Sequence, residues 1–96
     1  MIRSFGDRFT EDIFHGRNTK RVRKVDAGLV RTTVRKLDII EAAVQLNDLR
    51  VPPGNRLEML RGDLEGFHSI RVNDQWRLIF RWSEGGADQV TLVDYH

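Results

Sequence analysis

The residues whose side chains are best suited to catalysis are Asp94, Tyr95 and His96, together with the arginines Arg71 and Arg77. Histidine can transfer protons near neutral pH, tyrosine can stack on a base, and an aspartate can hold an imidazole in one tautomer. Guanidinium groups bind phosphate through a fixed fork of donors. This set predicts cleavage of an RNA phosphodiester, which needs a proton acceptor for the 2′-OH, a proton donor for the leaving oxygen and cations for the charge on phosphorus. The alternative is that His96 has no catalytic role, as is common for terminal residues.

The first predicted hairpin brings the two arginines together. Its loop is Asn73–Gln75, and the alternation of apolar residues pairs Ile70 with Leu78 on the core face. Arg71 then lies opposite Arg77 on the other face. Like charges in such a pair destabilise it by a few tenths to about 1 kcal/mol, so an anionic ligand would relieve the repulsion.

The second predicted hairpin adds the tyrosine to the same face. Pairing Trp82 with Val90 keeps the apolar residues together and sets Arg77 opposite Tyr95. His96 follows at the end of that strand. The two hairpins therefore predict one cationic patch, with the candidate catalytic residues, on the face opposite the core.

The net charge of +2 is unevenly distributed. Residues 17–36 contain eight basic residues and one acid, a net charge of +7, whereas residues 57–96 contain four arginines and seven acids. A basic block of this kind is typical of a surface that binds a polyanion. A solvated loop and helix face explains it equally well.

Periodicity predicts the elements that position these groups. Residues 1–5 alternate like a strand, a short helix follows, and residues 17–26 are polar and predict an exposed loop. A longer amphipathic helix is then capped by Asp26, with its basic residues, Lys36 included, placed off an apolar stripe. That stripe comprises Val30, Val34, Leu37, Ile40 and Val44.

From Arg56 the apolar period changes to two and predicts four strands. The fold class is therefore α+β, with an N-terminal strand and helices packed on a largely antiparallel sheet. The length predicts a single domain over residues 1–96.

The composition argues against several other kinds of site. The chain has no cysteine, which excludes disulfides and thiolate metal sites, and its three histidines are far apart. We expect no metal site and no cofactor, since no phosphate-binding glycine loop is present either. No stretch has the length of a signal-peptide core or a membrane span, so we expect a cytoplasmic protein without membrane association.

The segments "LEMLRGDLEGFHSIRVNDQWRLIFRW" and "VDYH" resemble the HigB toxins of the RelE/ParE superfamily, and the opening "MIRSF" is similar as well. The resemblance implies a microbial-ribonuclease-like fold and a type II toxin that cleaves mRNA on the ribosome and inhibits translation. It implies a cognate HigA-type helix-turn-helix antitoxin as a partner, together with the ribosome and mRNA. Operator DNA would be contacted only through the antitoxin.

By motif position, the resemblance assigns the final trio from Asp94 to His96 and Arg77 to the active site. Arg61 matches a cationic position that contacts phosphate. Glu58 stands where some members carry a histidine, so a carboxylate or His96 itself would have to accept the proton. The predicted RNA-binding residues are Arg61, Arg71, Lys20, Arg21, Arg23 and Lys24. The last four would dock on ribosomal RNA, with an affinity that falls as salt rises.

Two other functions fit the same scaffold. One is a ParE-like inhibitor of DNA gyrase without nuclease activity, and the other is an RNA-binding module without chemistry. ParE-like chains generally lack the terminal "DYH", and this difference favours the nuclease.

Overall fold

The computed structural model describes residues 1–95, and His96 lies outside the described residues. Three α-helices come first: α1 at Arg8–Phe14, α2 at Lys20–Arg23 and α3 at Ala27–Ala42. Four strands follow: β1 at Glu58–Met59, β2 at Phe67–Arg71, β3 at Trp76–Ser83 and β4 at Gly86–Asp94. Short 3-10 turns at Leu46–Arg50 and Pro53–Asn55 connect α3 to β1, and a third at Gly62–Leu64 connects β1 to β2.

Side-chain caps start the helices. The Asp26 carboxylate accepts the backbone N–H of Leu29 at 3.0 Å and begins α3, which confirms the predicted cap. Thr19 caps α2 in the same way, through the N–H of Val22. The prediction of a loop throughout residues 17–26 is therefore wrong at α2, where this cap and the burial of Val22 stabilise one helical turn.

The buried face of α3 differs from the predicted one. Its buried residues are Leu29, Thr33, Lys36, Leu37 and Ile40. Val44 lies beyond the end of the helix and is 76% exposed. Lys36, predicted off the apolar stripe, is buried because its ammonium donates to Asn55 Oδ1 at 2.6 Å. Burial lowers the pKa of Lys36, and the charges of Arg35 and Arg71 lower it further.

The four strands form an antiparallel sheet in the order β1-β2-β3-β4. The predicted initial strand forms two isolated parallel bridges to β4, Ile2 with Ala87 and Phe5 with Val90. α1 is tied to the sheet by Thr10, whose buried hydroxyl accepts the N–H of Leu92 at 2.9 Å. Helices and sheet share one apolar core, which includes Ile13, Leu37, Ile40, Ile70, Leu78, Phe80 and Val90.

The predicted register is confirmed for the first hairpin and wrong for the second. β2 and β3 pair Ile70 with Leu78 and Arg71 with Arg77. β3 and β4, however, pair Arg77 with Val93 instead of Tyr95.

A tight turn explains the error in the second hairpin. Glu84 and Gly85 both have positive φ, at 46° and 77°, as in the two-residue turns that match strand twist. β4 therefore begins at Gly86, and Trp82 pairs with Ala87 instead of the predicted Val90. A bulge between Ile79 and Arg81 then shifts the ladder. Within residues 1–95, none of the helices has the length and apolarity needed to cross a membrane.

Candidate active site

Arg77 is the centre of the face opposite the core. Its side chain is buried, with 7% of the residue exposed, and Nη1 donates to Ser69 Oγ at 2.5 Å. Nη2 donates to Glu58 Oε1 at 3.2 Å. A buried guanidinium requires such partners because desolvating an unpaired charge is costly. Two strands therefore hold Arg77 in one position before any ligand binds.

Tyr95 meets Arg77 despite the register error. The Arg77 guanidinium carbon lies 5.2 Å from the centre of the Tyr95 ring, within the range of cation–π contacts. Tyr95 follows the directly paired Val93 by two residues, so it is a diagonal neighbour of Arg77 on the same face. Its backbone N–H donates to Gln75 O at 2.6 Å, which fixes the end of β4. The tyrosine is 40% exposed and covers part of the arginine.

Asp94 has a different environment. It pairs with Trp76 across β3 and β4, and its Oδ2 accepts the side-chain amide of Gln75 at 3.0 Å. His96, the third member of the predicted trio, lies outside the described residues.

Arg71 and Arg77 face each other as predicted, yet each has a carboxylate close by. Arg71 forms an ion pair with Asp74 in the hairpin loop, and Arg77 is paired with Glu58. The chain itself therefore relieves the repulsion that we expected an anionic ligand to relieve. The pairs also reduce the net positive charge around the two arginines until a ligand displaces a carboxylate.

Arg61 lies just before the 3-10 turn Gly62–Leu64, in the connection from β1 to β2, and is exposed. The four basic residues predicted to bind RNA lie on or next to α2 and are exposed as well. Two of them have intramolecular contacts. Arg21 lies with its guanidinium carbon 4.4 Å from the centre of the Phe9 ring, and Arg23 donates to Asn18 O at 2.6 Å.

Sequence reasoning missed Ser69 and treated Glu58 only as a departure from a motif. Ser69 is fully buried on β2, two residues from Arg71 and therefore on the same face. A small polar residue at that position, in a strand that otherwise contains apolar and basic residues, was the feature of the sequence that could have indicated a partner for Arg77. Glu58 is paired directly with Ser69 in the register, which gives its carboxylate access to Arg77.

The other titratable groups of the sheet do not belong to this cluster. The side chain of His68 lies on the core face of the sheet, where its ring centre is 6.1 Å from that of Phe80. Burial lowers the pKa of His68, which favours the neutral imidazole. In the part of the chain that the structure describes, no group of three or more His, Cys, Asp or Glu residues could hold a metal ion.

The chain is similar to known toxins over its whole length. Residues 3–96 match a family described as RelE-like toxin of type II toxin-antitoxin system HigB. Toxin HigB-1 of Vibrio cholerae is 45% identical over 96 residues, covering 100% of this chain and 98% of that protein. Endoribonuclease HigB of Proteus vulgaris is 30% identical over 96 residues, and the alignment covers 100% of this chain and 100% of that protein.

Solved structures share the fold at low sequence identity. A chain of the heterotetrameric YoeB-YefM complex from Staphylococcus aureus superposes with a TM-score of 0.63 and 20% identity, covering 100% of this chain and 98% of that chain. A point mutant of YafQ from E. coli has a TM-score of 0.57 and 16% identity, covering 98% of this chain and 93% of that chain. These neighbours and the helices packed on an antiparallel sheet confirm the predicted α+β fold.

Proposed function

The chain belongs to the HigB-like family of RelE-like toxins of type II toxin–antitoxin systems, and from that premise we propose that it cuts mRNA on the ribosome and so arrests translation. The family predicted from the sequence motifs is confirmed. A relative named Endoribonuclease HigB, identical at 30% of positions over the full chain, supports the nuclease. Nothing among the similar proteins favours the gyrase inhibitor over it.

The observation that carries the proposal is the fixed position of Arg77. Ser69 and Glu58 orient its guanidinium, and the half-exposed Tyr95 ring lies beside it. A cation that is already oriented stabilises a phosphorus centre gaining negative charge without reorganisation during the reaction. Tyr95 supplies an adjacent surface on which a base can stack.

The proton transfers are assigned from the contact of Glu58 with Arg77 and from the motif position of His96. We assign proton acceptance to Glu58, whose exposed carboxylate contacts Arg77. The ribose 2′-oxygen, after losing its proton to Glu58, attacks the adjacent phosphorus. The bond from phosphorus to the 5′-oxygen breaks, and that oxygen takes a proton from His96, whose role comes from its motif position. The products are a 2′,3′-cyclic phosphate and a 5′-hydroxyl end.

The ribosome supplies what this small site lacks. In-line attack requires the 2′-oxygen, phosphorus and leaving oxygen to be aligned, and a shallow cationic face does not impose that alignment on free RNA. Lys20, Arg21, Arg23 and Lys24 would dock the protein on ribosomal RNA, while Arg61 and Arg71 would contact mRNA phosphates.

The partner of a type II toxin is an antitoxin, and the YoeB-YefM structures show a toxin of this fold with its antitoxin. We assign a HigA-type helix-turn-helix antitoxin, through which operator DNA would be contacted. The site of action would be the cytoplasm, and residues 1–96 would act as one domain.

Mapping of new mRNA 5′ ends after brief expression tests the proposed function. We expect cuts within translated frames for the wild-type protein, and their loss in His96→Ala and Arg77→Gln. Arg50→Ala removes one exposed charge outside the site and should leave the cuts unchanged. Cuts that persist in both site variants would refute the assignment of the site. DNA damage without any cuts would instead support the gyrase inhibitor.

A further inference from the structure

A guanidinium and a phenyl ring lie together on the same sheet face as Arg77, and we propose that they form a stacking platform for a purine of the bound mRNA beside the cut. Phe67 of β2 and Arg81 of β3 are directly paired. The Arg81 guanidinium carbon lies 4.4 Å from the centre of the Phe67 ring. This inference rests on the proposed function, because it names a part of the substrate of the same site.

The strand register places the pair beside the active site. Phe67 is two residues from Ser69, and Arg81 is four residues from Arg77. Because side chains alternate between the two faces of a strand, Phe67 and Arg81 lie on the face where Ser69 contacts Arg77. Four residues of a strand span about 13 Å. The pair is therefore too far away to touch the phosphate at Arg77 but is placed to meet the base of a neighbouring nucleotide.

The backbone around the pair is shaped to accept the guanidinium. Gly66 has a φ of +91°, and a Cβ at that position would lie 2.7 Å from Arg81 Nη1. A residue with a side chain would be strained there and would push against the guanidinium. The β-bulge next to Arg81 also changes the direction of this part of the sheet.

The charge of Arg81 remains available to RNA. The residue paired with it on β4, Asp88, already forms an ion pair with Arg3 at 2.9 Å. Arg81 itself is exposed, and Phe67 is half-buried beneath it. Arg71 and Arg77 each contact a carboxylate, and Arg77 also contacts the Tyr95 ring, whereas the contact of Arg81 in the described structure is with the ring of Phe67.

The chemistry fits an unpaired base better than a phosphate. Proteins that read single-stranded RNA stack bases on aromatic rings and on guanidinium planes. A guanidinium resting on a ring offers a flat cation whose position is fixed by the ring below. A purine presents the larger π surface, so a platform of this kind favours a purine over a pyrimidine at the position it contacts.

Cleavage on ribosomes programmed with paired mRNAs tests this platform. The two mRNAs differ only by a purine or a pyrimidine at each position flanking the cut, and the ratio of their single-turnover cleavage rates measures the preference. We expect the wild-type protein to prefer a purine at one flanking position. Arg81→Ala and Phe67→Leu should each bring this ratio close to one and lower the cleavage rate of the purine mRNA by about tenfold, since stacking contributes this much per base.

Two variants separate stacking from charge and from folding. Arg81→Lys keeps the charge without the planar group, so it should not restore the preference, and Arg50→Ala should leave the preference unchanged. If Phe67→Leu does not fold, as judged by its thermal unfolding, Arg81→Lys decides the question because its side chain is exposed.

The outcomes are distinguishable. A preference that survives Arg81→Ala, or that Arg81→Lys restores, would overturn the platform while cleavage itself stands. Loss of antitoxin binding with unchanged cleavage preference would assign the pair to a protein interface and overturn it as well. A wild-type protein that cuts neither mRNA would overturn the proposed function, and this inference with it.

Discussion

Arg77 combines two properties that seldom occur in one side chain, burial and readiness to bind an anion. Its position depends on Ser69 Oγ at 2.5 Å and Glu58 Oε1 at 3.2 Å. An arriving phosphate can replace the exposed Glu58 carboxylate while Ser69 keeps the other side of the guanidinium in place. The hydroxyl is thus a positioning group, and the carboxylate is free to accept a proton.

Replacing Arg77 with lysine should lower single-turnover cleavage on the ribosome by about 10²- to 10³-fold. An ammonium retains the charge but cannot contact Ser69, Glu58 and a phosphate in the planar arrangement of a guanidinium. The rate constant at saturating toxin is the measurement, with Arg50→Ala as the control. A rate within twofold of the wild-type value would show that charge alone at this position is enough.

Glu58→Gln tests the proton acceptor. The amide oxygen still accepts from Arg77, so the geometry of the guanidinium is preserved, but the group can no longer take a proton. We expect a loss of about 10²- to 10⁴-fold in the single-turnover rate constant. A rate constant within twofold of the wild-type value would remove Glu58 from the proposed reaction, and His96 would then become the remaining candidate.

Among the elements, α2 is the one that we assign to docking. It is a single helical turn that exposes its basic residues while burying Val22. Arg21 also lies over Phe9 of α1, so removing it would disturb packing as well as charge. A test of docking should therefore keep Arg21.

Replacing Lys20, Arg23 and Lys24 with alanine should weaken ribosome binding and make it less dependent on salt. Each lost phosphate contact lowers the slope of log affinity against log salt by about 0.7 to 0.9. Titration of labelled toxin onto ribosomes at several salt concentrations provides the slope. A slope equal to that of Arg50→Ala would mean that α2 does not touch ribosomal RNA.

The segment between α3 and β1 depends on one buried amide. Asn55 is fully buried, accepts from Lys36, and donates to Leu49 O at 3.1 Å and Val51 O at 3.3 Å. Its removal leaves a buried ammonium and two carbonyls without these partners. Asn55→Ala should therefore lower the free energy of unfolding by about 3 kcal/mol, as measured by urea denaturation. Val51→Ala, at an exposed neighbouring position, should change it little.

At the scale of the whole molecule, His68 should make the free energy of unfolding depend on pH. Burial lowers its pKa in the folded state, so the unfolded chain binds a proton more readily. The contribution is fully present above the unfolded-state pKa of about 6.5, and it is lost as the pH falls through the folded-state value. We expect the melting temperature of the wild-type protein to decrease on acidification below about pH 6.5. The melting temperature of His68→Gln should decrease less over the same range. Equal decreases in both proteins would assign the acid sensitivity to other groups.

The sequence by itself determined most of the elements, though not α2 or the start of β4, together with the fold class and the family. Apolar periods of two and of three to four residues are local properties, so they predicted the strands, α3 and its Asp26 cap. The first hairpin register was also determined, because a one-residue slip would move Ile70 and Leu78 away from the core. The motif around Arg77 was specific enough to indicate a HigB-type toxin.

Only the tertiary structure decided the partners of the charged groups and the register of the second hairpin. A two-residue slip keeps every side chain on its predicted face, so the apolar pattern could not choose between pairing Arg77 with Tyr95 and pairing it with Val93. The turn at Glu84 and Gly85 and the bulge between Ile79 and Arg81 together made that choice through backbone geometry. The burial of Lys36 and the contacts of Ser69 and Glu58 with Arg77 join residues far apart in the chain. Such contacts depend on packing between elements, which no local pattern encodes.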